Sequence, residues 1–350
     1  MTTFLKTKVK LLSHGAALPP NRYTTDQMLE TLQSLSGWRY AKLAQRISKH
    51  LGVESRHLSR DVRLKTSAPT PSNSDLAVEV VQACLDQAHL QSSDLDYLLA
   101  HTCTPDTQVP PSVAWVADKI NYKGLYLELR QACTGFASAL QMAVPRIESL
   151  GKPVMLVGSE TGSVYFDHAP QFLDQAQLVN YLQMGDGAAG VLLGSDDGSG
   201  QGIISDIYMG QIGVGKSPGL YLDGGSTSVY TQEGPARFHH DAAKVKQNGE
   251  MLFKAAIDAL NEQGHQLDSF DYIIPHQASG HIDVHFSKAT GIAQEKIIND
   301  AKHLGNLGSS AIWMSFSRLL SSGKLEHGDR VLVIGAEATK YLYGGFIYTH

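Results

Sequence analysis

One pattern occurs twice in this chain, in the same order, and it restricts the fold more than any other feature. Asp96-Tyr-Leu-Leu-Ala-His101 is matched by Asp271-Tyr-Ile-Ile-Pro-His276, an offset of 175 residues (271 − 96). Val154-Met-Leu-Val-Gly-Ser-Glu160 is matched by Val331-Leu-Val-Ile-Gly-Ala-Glu337, an offset of 177 residues (331 − 154). Self-similarity of this kind implies two copies of one supersecondary unit. Each copy has an amphipathic pattern ahead of its first matched strand, at roughly residues 75–90 and 249–262. Strand-like runs alternate with helical patterns along the whole length, so the class is α/β, a mostly parallel sheet covered by helices. The expected halves are residues 1–195 and 196–350, with the Gly- and Ser-rich stretch from about 195 to 246 as crossover and surface loops.

A chain of 350 residues with 42% hydrophobic and 18% charged residues has enough material for a large buried core. No run approaches the ~20 apolar residues of a membrane span, and the first residues lack the apolar stretch of a secretion signal, so a cytoplasmic protein without a membrane partner is expected. The net charge of −5 and the scattered Lys and Arg form no stripe for a nucleic-acid backbone. One basic cluster, Arg39 to Arg63, has two open readings: a surface for a phosphorylated cofactor or acidic carrier protein, or a solvated helical face. Cys84, Cys103 and Cys133 are odd in number and lack CxxC spacing, which argues against a disulfide framework and a zinc site.

Between the two matches, Cys133-Thr-Gly135 and Asn306-Leu-Gly308 occupy corresponding places, offset by 173 residues (306 − 133). If both copies fold alike, Cys133 and Asn306 start symmetry-related helices, and His276 ends a strand that leads to the same edge. A cysteine at a helix N-terminus meets free N–H groups that favour the thiolate, the nucleophilic form. Pro145, inside that helix, predicts a kink or an early end. Each residue also has a plainer reading: an inert buried thiol, a structural histidine, a turn asparagine between glycines. Cys84, in a helical pattern, and Cys103, at the end of a strand, fit the inert reading. His101, the repeat partner of His276, has the same local pattern and no evident functional partner.

Three formal motif hits fail on context. Gly210-Gln-Ile-Gly-Val-Gly-Lys216-Ser217 satisfies the P-loop spacing, but Pro218-Gly219 follows where a helix must begin. Gly185-Asp-Gly-Ala-Ala-Gly190 leads into the strand-like Val191-Leu-Leu193, where a dinucleotide site requires a helix. His276, His281 and His285 have metal-like spacing without a carboxylate or thiolate to complete a set.

Taken together, these residues resemble the β-ketoacyl-acyl-carrier-protein synthase III family of the thiolase superfamily over nearly the whole chain. The family's Cys-Ser-Gly-Phe segment is matched by Cys133-Thr-Gly-Phe136, its His-Gln-Ala-Asn by His276-Gln-Ala-Ser279, and its Gly-Asn by Gly305-Asn306. Gly52-Val-Glu-Ser-Arg56, Thr104-Pro-Asp106, Gly158-Ser-Glu160, Gly185-Asp-Gly-Ala188 and Asn248-Gly249 add ordered matches. The resemblance implies a five-layered αβαβα thiolase fold of two pseudo-twofold-related halves, a homodimer, and a catalytic Cys133-His276-Asn306 triad. It implies no metal and no permanently bound cofactor, with coenzyme A or acyl-carrier-protein thioesters as substrates and an acyl carrier protein as a candidate partner. Cys133 would accept an acyl group, and a malonyl or β-ketoacyl thioester would then add by decarboxylative condensation. His276 and Asn306 would hold the enolate oxygen, and the Cys133 N–H the acyl oxyanion.

Single residues separate neighbouring families. No cysteine follows Cys133, as a thiolase requires; His101-Thr-Cys-Thr-Pro-Asp106 lacks the glutamate of a hydroxymethylglutaryl-CoA synthase; and the Gly-Phe-Gly-Pro-Gly loop of plant-type polyketide synthases is missing. The chain also departs from synthase III. The family's glycine-rich segment after the last core strand, source of the second oxyanion N–H, reads Gly335-Ala-Glu-Ala-Thr339 followed by Lys340-Tyr-Leu-Tyr343. Arg130-Gln131 precedes the nucleophile segment, Val109 stands where a bulky residue often reaches across the dimer, and residues 163–183 form a longer segment. These changes suggest a divergent member serving a specialised metabolite pathway. Two alternatives stay open: an acyltransferase delivering the acyl group to a hydroxyl or amine with His276 as general base, and a non-catalytic dimer partner of an active paralogue.

Overall fold

The duplicated strands sit in mirrored positions within a ten-stranded mixed sheet. The computed structural model describes residues 1–65, 67–228, 230–231 and 234–350. From one edge, the path runs Leu125–Leu129, Tyr97–His101, Val154–Glu160, Gly187–Ser195 and Val9–Ala17. It continues through Ile203–Gln211, Leu342–Thr349, Arg330–Glu337 and Tyr272–Pro275, with Thr3–Leu5 pairing off the path onto Ile203–Gln211. In each half the two matched strands are parallel, and the two strands that follow toward the middle are antiparallel. Within the sheet the halves join through Val9 opposite Ile204, Lys10 opposite Ile203, and the pairing of Thr3–Leu5 with Ile203–Gln211.

Helices fill three further layers. Asn73–Gln87 and Ser112–Lys119 cover the outer face of the first half-sheet, and Ala242–Glu262 covers that of the second. Gly135–Leu150 touches strands of both halves, as does Ala311–Ser321, so these two helices form the middle layer. The order is helix, sheet, helix, sheet, helix, the thiolase-like arrangement. Strands enclosed on both faces require continuous apolar runs, and Val154–Glu160 is buried at every position. Leu125–Leu129, at the free edge, is exposed at its first two residues.

Helix ends follow capping chemistry more than apolar spacing. Ser72 and Asp75 form a capping box that starts Asn73–Gln87, two residues before the expected start. Asp241 accepts from the Lys244 N–H and starts Ala242–Glu262, a full two turns before position 249. Two expectations need correcting. Residues 195–246 are not only crossover and loop, because Ile203–Gln211 is a central strand; its apolar residues are masked in sequence by Ser205, Asp206 and Gly210. The helix after Cys133 does not end at Pro145 but runs to Leu150. Pro145 lies on its exposed side, while Ala143, Val144 and Ile147 are held in the core on either side of the missing hydrogen bond.

Candidate active site

Cys133 lies in the turn between strand Leu125–Leu129 and helix Gly135–Leu150, with Thr134 as the helix N-cap. The turn is closed by the Gly135 N–H donating to the Ala132 carbonyl at 2.9 Å. A Cβ at position 135 would come within 2.6 Å of the His101 ring, so glycine is needed for this approach. His101 is itself fully buried; its Nε2 accepts from the Trp313 indole N–H at 3.2 Å, and burial pushes its pKa down to about 3. The histidine without an evident partner in sequence is thus a neutral packing element between the two middle helices.

Two buried glutamates, named in sequence only within the repeat and the family-like segments and not as site residues, organise the site. Glu160 Oε1 accepts from the Thr102 hydroxyl (2.9 Å), the Cys103 N–H (2.8 Å), and the N–H and hydroxyl of Thr104 (3.1 and 2.9 Å). Its Oε2 accepts from the N–H and hydroxyl of Ser309, both at 3.3 Å. The equivalent Glu337 accepts from the Thr134 N–H at 2.9 Å, the Thr134 hydroxyl at 2.7 Å, and the Thr339 hydroxyl. Each carboxylate therefore ends a strand of one half and binds the start of the middle helix of the other half. The matched Gly-Ser-Glu160 and Gly-Ala-Glu337 were the available signal; charged ends of two apolar strands imply buried partners.

His276 directly follows strand Tyr272–Pro275, and its N–H donates to the Ile334 carbonyl at 2.8 Å. Its ring is buried, its Nδ1 has no hydrogen-bond partner among the described residues, and burial pushes its pKa down to about 4, so it is neutral at pH 7. Gln277 ties this segment to the next: its side chain donates to the Pro275 and Ile298 carbonyls and accepts from the N–H groups of Asp300 and Ala301. Asn306 lies just beyond. Its N–H donates to the Gln183 carbonyl at 2.8 Å, and its Oδ1 accepts from the Gly308 N–H at 3.0 Å. That bond commits the oxygen and leaves the NH2 end as a donor. Gly308 has a φ of +52°, and a Cβ there would meet Glu160 at 2.4 Å.

The segments of the three predicted residues meet through hydrogen bonds. The Ser309 hydroxyl donates to the Gln131 carbonyl at 3.2 Å, joining the Asn306 segment to that of Cys133, and Gln277 joins the Asn306 segment to that of His276. One electrostatic expectation is reversed. Burial first, then the charges of Glu337 and Glu160, push the Cys133 thiol well above its ordinary value. The N–H next to it, which would favour a thiolate, is taken by Glu337. Cys103 is not at a strand end but two residues past His101, and burial first, then the same two glutamates, raise its thiol too.

The Arg39–Arg63 cluster divides. Arg56 is fully buried and donates to the Leu182 carbonyl and the Thr25 hydroxyl; Arg60 donates to the Phe166 and Lys65 carbonyls; Arg63 pairs with Asp61. Arg39, Lys42, Arg46 and Lys49 are exposed on helix Trp38–Leu51. An open cleft of about 650 Å³ runs beside that helix, between Lys49, Gly52, Glu54, His281 and Lys302. Cys133, His276 and Asn306 are not in its wall. No helix among the described residues is long and apolar enough to cross a membrane.

Known proteins resemble this chain in sequence and in fold. The family model for 3-oxoacyl-[acyl-carrier-protein] synthase III matches residues 127–210, and the model for its C-terminal part matches residues 260–348. A β-ketoacyl-[acyl-carrier-protein] synthase III of Clostridium perfringens is 27% identical over 338 residues, covering 93% of this chain and 94% of that protein. Among solved structures, a tetronic acid condensing enzyme superposes with a TM-score of 0.82 at 24% identity, over 98% of this chain and 100% of the other. The 3-oxoacyl-(acyl carrier protein) synthase III of Pseudomonas aeruginosa gives 0.78 at 23%, over 97% and 98%.

Proposed function

Because the chain belongs to the 3-oxoacyl-[acyl-carrier-protein] synthase III family of acyl-transferring condensing enzymes, we propose that it loads an acyl group onto Cys133 and condenses it with a malonyl or β-ketoacyl thioester. In the first step Cys133 Sγ attacks the thioester carbonyl, its proton passes to a base, and the donor's thiolate leaves. In the second, with a malonyl thioester, the bond to the carboxyl group breaks, carbon dioxide departs, and the electron pair becomes an enolate; with a β-ketoacyl thioester a base takes the C2 proton and the C–H electron pair becomes the enolate. The enolate carbon attacks the acyl carbonyl and expels Cys133. Splitting the reaction this way is covalent catalysis.

The observation that carries this reading is the pair of donors on the C-terminal half. Neutral His276 and the NH2 end of Asn306, its oxygen already bound to Gly308, are suited to hold a developing enolate oxygen. Incubation with an acyl thioester is expected to add the acyl mass to Cys133, and a malonyl thioester then to release carbon dioxide. Acylation without carbon dioxide across a broad donor panel would sink the decarboxylative condensation, and acylation with no condensed product from either extender would sink the condensation altogether. Product that survives Asn306→Ala but not His276→Ala would instead support transfer to a hydroxyl or amine.

The exposed cations on helix Trp38–Leu51 support a phosphorylated thioester donor, on coenzyme A or a carrier protein. The free edge of Leu125–Leu129 supports a homodimer. Unpaired strand groups run along it, and Val109, Trp115, Leu125 and Tyr126 are exposed around it. Light scattering is expected to give twice the chain mass, and Tyr126→Lys to shift it toward one; a wild-type monomer at micromolar concentration contradicts the dimer.

A further inference from the structure

Glu337 lies in the Gly335-Ala-Glu-Ala-Thr339 segment, which differs from the glycine-rich segment of the family it resembles, and the condensation just described gives it no part. Its carboxylate is 2% exposed and makes a two-point contact with Thr134, the residue after the nucleophile. Resting on the reading of Cys133 as nucleophile, we propose that Glu337 is a positioning residue that clamps the Cys133 turn from the opposite half of the molecule and holds a negative charge against the thiol.

Three observations support it. Thr134 makes no side-chain cap of its own, so Glu337 supplies the anion that a helix N-terminus favours. Gln131 also donates to the Thr134 hydroxyl, at 2.9 Å, so the residues on both sides of Cys133 are tied to the one Glu337 holds. The equivalent Glu160 provides an internal comparison: it binds Ser309, at the start of the other middle helix, where no nucleophile sits.

The clamp has a chemical consequence. A helix N-terminus has one favourable place for an anion, and here a carboxylate occupies it, so a thiolate at Cys133 would be a second negative charge in the same buried volume. The groups that face Cys133 are Glu337 from strand Arg330–Glu337, Glu160 from strand Val154–Glu160, and the Cys103 thiol from the loop after Tyr97–His101. Arg130 and Tyr165 face Cys103 and Glu160. Burial first, and then these charges, therefore keep Cys133 at rest as the thiol, and its proton leaves only when a base accepts it as the acyl donor arrives. The resting enzyme is protected from oxidation and adventitious alkylation, which need the thiolate.

The test is the pH dependence of Cys133 alkylation by iodoacetamide, read by peptide mass mapping in the wild-type protein and in Glu337→Gln. The amide keeps the size and an acceptor for Thr134 but removes the charge. The alkylation midpoint is expected to fall by about one pH unit or more in Glu337→Gln. Glu337→Asp, which withdraws the charge by one methylene, is expected to move it in the same direction by less. No movement in whichever of the two variants melts as a folded protein overturns the assignment. Alkylation does not depend on thioester chemistry, so a shifted midpoint in a protein that no thioester acylates keeps the role of Glu337 and removes the condensing reading. Acylation with an unshifted midpoint does the reverse.

Discussion

Cys133→Ala protein is expected to gain no acyl mass from any thioester and to lose condensing activity by at least about a thousandfold. That magnitude follows from deleting the covalent step, since an uncatalysed attack on the thioester must then replace two easier ones. The three cysteines differ enough for the result to be specific. Cys84 is locked in helix Asn73–Gln87, its sulfur 3.9 Å from the Gly190 carbonyl, and burial pushes its thiol up to about 12. Cys103 has its N–H on Glu160 and leads into a loop rather than a helix. Only Cys133 combines a helix start with the Asn306 segment alongside. Peptide mapping of the wild-type protein should place the acyl group on Cys133 alone, and Cys103→Ala should leave loading unchanged. An acyl adduct that persists in Cys133→Ala, or that maps to Cys103, contradicts the assignment.

Trp313→Ala is expected to destabilise the fold by about 3–5 kcal/mol, a large part of the total stability of most domains. Trp313 is fully buried in the middle layer, and its ring packs against Phe136 at 5.7 Å, Phe346 at 5.7 Å and Phe316 at 6.3 Å between centroids. Removing the indole opens a cavity where the helices carrying Cys133 and following Asn306 meet. It also leaves His101 Nε2 without its donor. Trp313→Phe keeps most of the packing and loses only that hydrogen bond, so its cost should be about 1–2 kcal/mol. Denaturant melts of both variants check the order; equal and small losses would mean the middle layer tolerates a void there.

Much of the site was legible because duplication compares a chain with itself. The offsets aligned Cys133 with Asn306 and His276 with His101; the strands ending before His276 and at His101 do occupy mirrored places in the sheet, whereas Leu125–Leu129, ahead of Cys133, has no counterpart strand ahead of Asn306 among the described residues. Apolar runs identified the enclosed strands because burial on both faces leaves no room for polar residues. Ile203–Gln211 escaped notice for the opposite reason: its polar residues blur the pattern of a strand whose partners lie far away in sequence. Helix starts were displaced because capping by Ser72 and Asp241 is decided by single side chains.

What the sequence determined by itself was the α/β class and the duplicated halves, with three polar residues marked out as candidates at equivalent or neighbouring positions. Those follow from local periodicity and from repetition, which a linear chain records. Tertiary structure alone decided the electrostatic state of those residues. Glu337 lies 204 positions beyond Cys133 in the chain (337 − 133) yet accepts from the N–H of the same turn, and Glu160 accepts from Ser309 in the same way. A helix N-terminus read in isolation promises a thiolate; burial first, and then the carboxylate that the other half places on it, make the thiol the favoured state. Charge acts through space across the interface of the halves, and no spacing within either half encodes it.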